Sequence, residues 1–184
     1  DQFFGYIPGA NYPDSLGSEL MSFYTGVQDI MTKEEFENYQ REQFEKMKMN
    51  DDQQLSIDLE SIDNYLKENN INAAKTESGL RYVVEKKGEG RLAAPGDNVS
   101  FHYNVMLLNG EVFDSSINRG EPLSFTLGQG MVIKGWDEGI TYFNKGAKGT
   151  IYIPSGLGYG SRGAGGTIPP NAILVFEVEL VDFN

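Results

Sequence analysis

The 184-residue chain contains no cysteine, a single histidine and a single tryptophan. Without cysteine it forms no disulfide, has no thiolate nucleophile and cannot bind a metal through a cysteine thiolate. One histidine, His102, cannot supply the several imidazoles of a His-rich zinc site, and it leaves little room for a catalytic triad. These absences count against most metalloenzymes and most enzymes that work through a nucleophile.

Basic side chains are also scarce, with 15 lysine and arginine residues against 27 aspartate and glutamate residues and a net charge of −12. Most of the excess negative charge lies in residues 1–79. Nucleic acids and anionic membrane surfaces repel a chain this acidic. We therefore expect neither as a main partner.

Long apolar stretches are absent too. No run approaches the roughly 20 residues that a membrane-spanning helix needs, and no signal peptide is recognisable. The chain begins at Asp1 rather than at methionine. We expect an upstream leader, such as a secretion or lipid-anchor signal, that has been removed or omitted; this is compatible with export.

The first 31 residues are rich in Phe, Tyr, Gly and Pro. With Phe23 aligned to Phe176, SELMSFYTGVQDIM runs beside the C-terminal NAILVFEVELVDFN with apolar residues at matching positions. Two interpretations stay open: residues 1–31 are the end of a preceding repeat of the C-terminal fold, or they form an ordinary N-terminal strand.

A long helix is predicted to follow, up to about Asn69. Thr32 and Glu35 match a capping box at its start, and MNDDQQ in the middle is the expected weak point or bend. Its second half repeats apolar residues at helical spacing, namely Leu55, Leu59, Ile62 and Leu66. We assign residues 32–77 to a helical segment that either links and rests on its own domain or pairs with a second copy of the chain as a homodimer.

From Ser78 onward the apolar residues alternate with period two, which is typical of strands. Asn109-Gly110 is a strong hairpin signal. A single short amphipathic helix carries Trp136, Ile140 and Phe143 at helical spacing. Residues 78–184 are therefore predicted to form an α+β domain in which a curved antiparallel β-sheet wraps around a short α-helix, preceded by the long α-helical segment.

The segment LGQGMVIKGWDEGI at 127–140 leads into that short helix. Its loop places Val132 and Ile133 beside the only tryptophan, Trp136, an arrangement that suits the floor of a small apolar pocket. An aromatic residue on a short helix is more often plain core, so that alternative stays open.

Four blocks occur in order: FHYNVMLLNGEVFDSS, PLSFTLGQGMVIKGWDEGI, IPSGLGYG and IPPNAILVFEVEL. Through them, residues 78–184 resemble an FKBP-type peptidyl-prolyl cis-trans isomerase domain, which implies the FKBP-like fold. The junction YLKENN to TESGLRYVVEKKGEG further resembles the exported bacterial subgroup with an N-terminal helical extension. That subgroup implies a location in the bacterial cell envelope, periplasmic or lipid-anchored.

The resemblance implies a set of pocket residues. Trp136 would lie beneath the proline ring, Tyr159 would offer a hydroxyl at the rim, and Asp114 would be the charged group at the pocket edge. The remaining aromatic walls would be Tyr103, Phe113 and Phe176. The further substrate-binding residues would be Leu123, Val132, Ile133 (through its backbone amide), Ile168 and Arg119, which pairs with Asp114.

Four of these residues have structural alternatives. Tyr103, Phe113 and Phe176 would be ordinary core residues without the family resemblance, and Asp114 before two serines often closes a turn. Leu123 occupies a position where many relatives carry phenylalanine, which we expect to affect substrate preference and inhibitor affinity more than activity.

The implied reaction breaks no covalent bond, so neither cofactor nor metal is expected. The expected partners are proline-containing polypeptide clients, unfolded or exported, and a macrolide-type inhibitor in the same pocket. Two alternative functions stay open. One is a proline-directed binding module or holdase chaperone with little turnover, and the other is a domain that mainly holds an assembly together.

Overall fold

The computed structural model describes residues 20–22 and 30–184, and the chain divides into two compact units, Asp1–Asn50 and Asp51–Asn184. In the first unit, strands β1 (Leu20–Ser22) and β2 (Ile30–Thr32) pair antiparallel. The proposed repeat in residues 1–31 depends mainly on residues outside the described ranges, so it stays a prediction.

Helix α1 (Lys33–Glu68) begins at the predicted capping box. The Thr32 amide donates to Glu35 Oε2 at 2.8 Å, and the Glu35 amide donates to Thr32 Oγ at 3.3 Å. The helix is assigned without a break through MNDDQQ, because Asn, Asp and Gln each cost a helix interior less than about 1 kcal/mol and no glycine or proline interrupts the run. The helix ends at Glu68, and Asn70 adopts a left-handed conformation with φ 54°.

The second unit is built around a seven-stranded antiparallel sheet. Six strands follow the order β3-β4-β10-β11-β6-β7, and the seventh, β8, pairs with β6. Strands β5 and β9 form a separate two-stranded ribbon. The strands are β3 (Ala74–Lys75), β4 (Arg81–Lys86), β5 (Glu89–Leu92), β6 (Asn98–Met106), β7 (Val112–Ser115), β8 (Leu123–Thr126), β9 (Asn144–Lys145), β10 (Lys148–Ile153) and β11 (Leu174–Phe183). Two short helices complete it, α2 (Ser116–Arg119) and α3 (Lys134–Gly139), with 3-10 turns at Ile140–Tyr142, Ser155–Leu157 and Gly160–Arg162.

One face of the sheet and α3 together enclose the main core. A β-carbon added to Gly135 would lie 2.4 Å from Ile153 Cγ2, and one added to Gly139 would lie 2.9 Å from Ile151 Cδ1. These two glycines, one helical turn apart, let α3 lie directly against β10. The predicted α+β fold, an antiparallel sheet packed on a short helix and preceded by a long helix, is confirmed.

The opposite face of the sheet is covered at one end by the second half of α1. Ile62 and Leu66 are buried with Tyr152 of β10 and Val175 of β11. Burying such an aliphatic side chain fully is worth about 1.5–3 kcal/mol. The compact unit begins at Asp51, because part of the helix belongs to the same packed body as the sheet. The division between a helical segment and an isomerase domain near Ser78 stays a prediction.

Across residues 20–22 and 30–184, no helix combines the length and apolar character needed to cross a bilayer.

Candidate functional site

A cavity of about 290 Å³ opens on the sheet face that carries α3. Ten of the eleven residues predicted from the sequence line it, and the exception is Arg119. Val105 and Met131 also line it and were not predicted as site residues, although Val105 shares the inward face of β6 with Tyr103 and Met131 directly precedes Val132. The lining residues are Tyr103, Val105, Phe113, Asp114, Leu123, Met131, Val132, Ile133, Trp136, Tyr159, Ile168 and Phe176.

Trp136 forms part of this lining while it is only 6% exposed. Three rings meet its indole edge-to-face, Phe101 at 4.9 Å, Tyr103 at 5.0 Å and Phe176 at 4.8 Å between centroids. Such pairs prefer this geometry because the ring edge is positive and the face negative. Trp136 is thus both a core residue and a cavity residue, so the two interpretations of it do not exclude each other.

The loop before α3 is held by Asp137, a residue that the sequence arguments did not single out. Its Oδ1 accepts from the Gly128 amide at 2.8 Å and its Oδ2 from the Gly130 amide at 2.9 Å. Both glycines have positive φ, 76° and 65°. The carboxylate therefore fixes the turn that delivers Val132 and Ile133 to the cavity.

The wall formed by β6 and β7 contains a polar network in an otherwise apolar lining. The Tyr103 hydroxyl donates to Asp114 Oδ2 at 2.5 Å, and Arg119 Nη2 donates to the Tyr103 hydroxyl at 2.8 Å. Arg119 also pairs directly with Asp114 Oδ1, which in addition accepts from the Ser115 amide at 2.8 Å. Asp114 therefore closes a local turn and at the same time fixes Tyr103.

These contacts shift the acid–base properties of the three groups. Partial desolvation works to raise the pKa of the Asp114 carboxyl, but hydrogen bonds from Tyr103, Arg119 and the Ser115 amide together bring it below its ordinary value of 3.8. Desolvation and the bond to Asp114 raise the pKa of the Tyr103 hydroxyl, and the bonds to Tyr103 and Asp114 raise the pKa of Arg119. At neutral pH Asp114 is ionised, Tyr103 neutral and Arg119 charged.

Along one edge of β6 two strands pair in succession, β8 and then β7, and Tyr103 lies in the gap between them. Its residues 98–101 pair with β8 and its residues 104–106 pair with β7. Ser116, fully buried at the start of α2, fills the gap, because its hydroxyl accepts from the Tyr103 amide at 2.8 Å and donates to the Tyr103 carbonyl at 3.3 Å. The same hydroxyl lies 3.2 Å from His102 Nδ1.

The rim opposite this wall comes from the long loop between β10 and β11. Ala164 and Ile168 form an isolated bridge with N–H to O distances of 3.0 and 2.9 Å. Gly163 has a φ of 63°, and an added β-carbon there would lie 2.2 Å from the Ile168 carbonyl oxygen. The GAGG segment is thus a tight turn that presents Ile168, while Tyr159, 42% exposed, stands nearby in the same lining.

Two donors at the cavity have no acceptor within the described part of the chain. The Ile133 amide makes no backbone hydrogen bond there, although its carbonyl accepts from the amides of Trp136 and Asp137. The Trp136 indole N–H is buried without a partner among the same residues. Buried polar groups are usually paired, so the indole N–H is an exception among the described residues.

No three or more His, Asp or Glu side chains lie together in a metal-binding arrangement within residues 20–22 and 30–184.

Comparison with known proteins identifies the family. Residues 89–181 match the family model described as FKBP-type peptidyl-prolyl cis-trans isomerase. FK506-binding protein 1 of Dictyostelium discoideum is 51% identical over 105 residues, which are 57% of this chain and 98% of that protein. FK506-binding protein 2 of Candida glabrata is 55% identical over 116 residues, 60% of this chain and 85% of that protein.

A bacterial relative and a solved structure are similar to this chain as well. The probable FKBP-type peptidyl-prolyl cis-trans isomerase of Haemophilus influenzae is 50% identical over 109 residues, 59% of this chain and 44% of that protein. The crystal structure of AtFKBP13 is similar with a TM-score of 0.57 and 41% identity, covering 61% of this chain and all but 1% of that one. The sequence resemblance, the fold and these relatives converge, and the chain belongs to the FKBP-type peptidyl-prolyl cis-trans isomerases.

Proposed function

We propose that the cavity over Trp136 is where this isomerase binds the proline of its client and favours the twisted X-Pro amide. The observation that carries the proposal is the cavity itself, an apolar space of about 290 Å³ with an indole in its lining and one charged group, Asp114, that is already neutralised by Arg119.

The chemistry requires little more than such a pocket. The barrier to rotation of a peptide bond is about 18–20 kcal/mol, because the planar amide is stabilised by resonance. Uncatalysed exchange at an X-Pro bond takes tens to hundreds of seconds. A pocket that binds the twisted amide more tightly than the planar one lowers this barrier by differential binding.

The residues divide the task. Trp136 packs beneath the proline ring, with Tyr103, Phe113 and Phe176 as walls. In the twisted amide the nitrogen lone pair is no longer conjugated with the carbonyl, so the twisted form is less polar than the planar one. A pocket without water therefore destabilises the planar amide more than the twisted amide. The Ile133 amide and the Tyr159 hydroxyl donate to carbonyls of the client on either side of the rotating bond. Asp114 and Arg119 hold Tyr103 without presenting an unpaired charge to the proline.

The direct test is the rate of cis-to-trans exchange of Leu-Pro and Phe-Pro peptides with the full chain. Tyr159→Phe removes the rim hydroxyl and keeps the ring, so a fall in kcat/KM in this variant isolates the hydrogen bond. An exchange rate equal to the uncatalysed background with intact, folded protein would contradict the proposal. Competition by a macrolide such as FK506 tests whether inhibitor and peptide share the pocket.

A proline-directed holdase with little turnover is the second candidate. It is favoured by the first half of α1, where Phe44, Met47 and Met49 are each more than half exposed. Contiguous patches of exposed apolar side chains mark sites of protein–protein interaction. The test compares how well the unmodified chain and the double variant Phe44→Ser/Met47→Ser suppress aggregation of an unfolded client. Cis-to-trans exchange rates measured for the same two proteins separate holdase activity from isomerase activity.

The same exposed residues support a homodimer through the helical segment. Sedimentation velocity of the unmodified chain and of the double variant distinguishes a dimer from a monomer.

For the compartment, we propose the bacterial cell envelope, periplasmic or lipid-anchored, supported by the resemblance of the helix–domain junction to exported relatives. Fractionation of cells that express the gene with its native upstream sequence tests that location.

A further inference from the structure

Asp58 on α1 is a buried acidic residue, only 1% exposed. Its Oδ2 accepts from the Ser155 amide at 2.7 Å and from the Ser155 hydroxyl at 2.6 Å, and its Oδ1 accepts from Gln54 Nε2 at 2.8 Å. A buried carboxylate is costly unless it is well hydrogen-bonded. Here both oxygens have partners, and the two strongest donors come from one residue that is 97 positions away in sequence.

Ser155 stands at the start of the segment that carries the rim tyrosine. The segment leaves β10, turns through the 3-10 turn Ser155–Leu157 and reaches Tyr159. The Ser155 carbonyl accepts from the Gly158 amide at 2.9 Å, and the Gly160 carbonyl accepts from the Asn171 amide at 2.8 Å. Tyr159 therefore lies between two hydrogen-bonded positions of the backbone, Ser155 and Gly160, and Asp58 binds the first of them.

Docking of the helix does not by itself require this carboxylate. Ile62 and Leu66 already bury apolar surface against the sheet, and Leu55 and Leu59 approach Gly79 within 3.1 Å of where its β-carbon would be. Replacing a buried ionic group by an apolar one is often neutral or stabilising. What an apolar residue cannot do is accept both donors of Ser155.

We propose that Asp58 is a positioning residue for the isomerase pocket, because its carboxylate fixes Ser155 and thereby the backbone that presents Tyr159 to the client. The proposal rests on the rim role assigned to Tyr159 under the proposed function. It assigns the second half of α1 a part in the reaction, although none of its residues lines the cavity.

Asp63 offers a matched control on the same helix. Its carboxylate also ties α1 to the domain, through Arg81 Nε at 3.0 Å and Lys75 Nζ at 2.8 Å. These partners lie on β4 and β3, and none of them lines the cavity. Asp63→Asn therefore weakens the attachment of the helix and leaves Ser155 untouched.

The experiment compares four full-length variants, Asp58→Asn, Asp63→Asn, Tyr159→Phe and Asp58→Asn/Tyr159→Phe, at a temperature where thermal unfolding shows all of them to be folded. In D58N the single carbonyl oxygen of the amide cannot accept from both Ser155 and Gln54, and a neutral oxygen accepts more weakly than a carboxylate, so the Ser155 bonds are weakened. We expect kcat/KM for a Leu-Pro peptide to fall about threefold to tenfold, on the scale of one or two hydrogen bonds. We expect the fall to come mainly from KM, with D63N close to the unmodified chain.

The double variant decides whether Asp58 acts through Tyr159. If it does, D58N causes no further loss in the Y159F background, and amide exchange of residues 156–160 accelerates in D58N but not in D63N. Equal effects of D58N and D63N on kcat/KM overturn the proposal, and so does a full additional loss in the double variant. If Y159F alone keeps the unmodified kcat/KM, the rim role itself fails, which is a distinct result.

A second substitution covers the case in which D58N does not fold. Ser155→Ala removes the hydroxyl donor and leaves both Asp58 and the Ser155 amide in place. We expect a smaller fall in kcat/KM than in D58N, again absent in the Y159F background. An S155A enzyme with unchanged kcat/KM and unchanged exchange at residues 156–160 overturns the proposal.

Discussion

The hydroxyl of Tyr103 lies 2.5 Å from Oδ2 of Asp114, and Arg119 donates to both groups. The tyrosine comes from the middle of β6, the aspartate from β7 and the arginine from the end of α2. Three polar groups of the wall thus satisfy one another. An apolar ligand meets their carbon surfaces without leaving a buried polar group unpaired.

Replacement of Asp114 by Asn should reveal this network through pH. The folded-state pKa of Asp114 lies below its ordinary value of 3.8, so its ionised form stabilises the fold fully above that value. That contribution is lost as pH falls through the folded-state pKa. We expect the difference in unfolding free energy between the unmodified chain and D114N to stay constant from pH 7 to 5 and to shrink below pH 4, as measured by urea unfolding. A difference that vanishes already near pH 6 would show that the pKa is not lowered.

Trp136→Ala should abolish detectable binding of proline peptides, while Phe143→Ala should not. Both residues are buried in the same core cluster, and removal of either ring costs about 3–5 kcal/mol of stability. Only Trp136 lines the cavity. Peptide titration followed by NMR, at a temperature where both variants are folded, distinguishes them. Unchanged binding by W136A would mean that the indole is a core residue only.

Leu123→Phe should strengthen binding of peptides with an apolar residue before proline. Leu123 is half-buried at the cavity, so a phenyl ring at this position presents a larger apolar surface to the residue before proline. Apolar area removed from water contributes about 25 cal/mol per Å², so we expect roughly a twofold to tenfold gain in affinity. Leu92→Phe, on the exposed β5 strand, is the control. Equal affinity in both variants would show that position 123 does not contact the client.

The attachment of α1 can be tested with two isoleucines on the same helix. Ile62 is fully buried against Tyr152 and Val175, whereas Ile57 is 57% exposed. Ile62→Ala should lower the free energy of unfolding by about 2–5 kcal/mol, and Ile57→Ala should change it by less than about 0.5 kcal/mol. Urea unfolding of the full chain measures both. Equal, small effects would indicate that the helix is not packed on the sheet.

A fragment that begins at Ser78 should for the same reason be less stable than one that begins at Asp51. The shorter fragment exposes Tyr152 and Val175 and deprives the buried guanidinium of Arg81 of its partner Asp63. Removing one partner of a largely buried ion pair is more costly than the pair is worth. Thermal unfolding of the two fragments compares them directly. Identical midpoints would indicate that residues 51–77 do not stabilise the domain and would favour the boundary predicted at residue 78.

The turn between β6 and β7 and the loop before α3 were predictable because they depend on short motifs. Asn109-Gly110 did make the β6–β7 turn, with Gly110 at φ 85°, and the block around Trp136 did become α3 beside a cavity. Such features follow from local backbone preferences and from residues close together in sequence. The roles of the lining residues in catalysis remain predictions.

What the sequence could not reveal depends on contacts between distant segments. Asp58 resembles any solvent-facing acid on a helix, and only its contact with Ser155, 97 positions away, shows otherwise. The packing of residues 51–68 on the sheet could not be chosen from the sequence for the same reason, since apolar residues at spacings of four and three are compatible with a dimer interface as well as with packing on the sheet. Asp137 was missed because a carboxylate in the first turn of a helix has many roles, and its bonds to Gly128 and Gly130 are visible only in three dimensions.

The two glycines of α3 set the distance between that helix and β10. The indole of Trp136 rests on a helix that touches β10 through bare backbone at Gly135 and Gly139, so the spacing between helix and strand is already at its minimum. A methyl group at either position would clash with Ile153 or Ile151 and push the helix away from the strand. Under the proposed function, the position of the pocket floor is therefore set by two glycines that do not line the cavity.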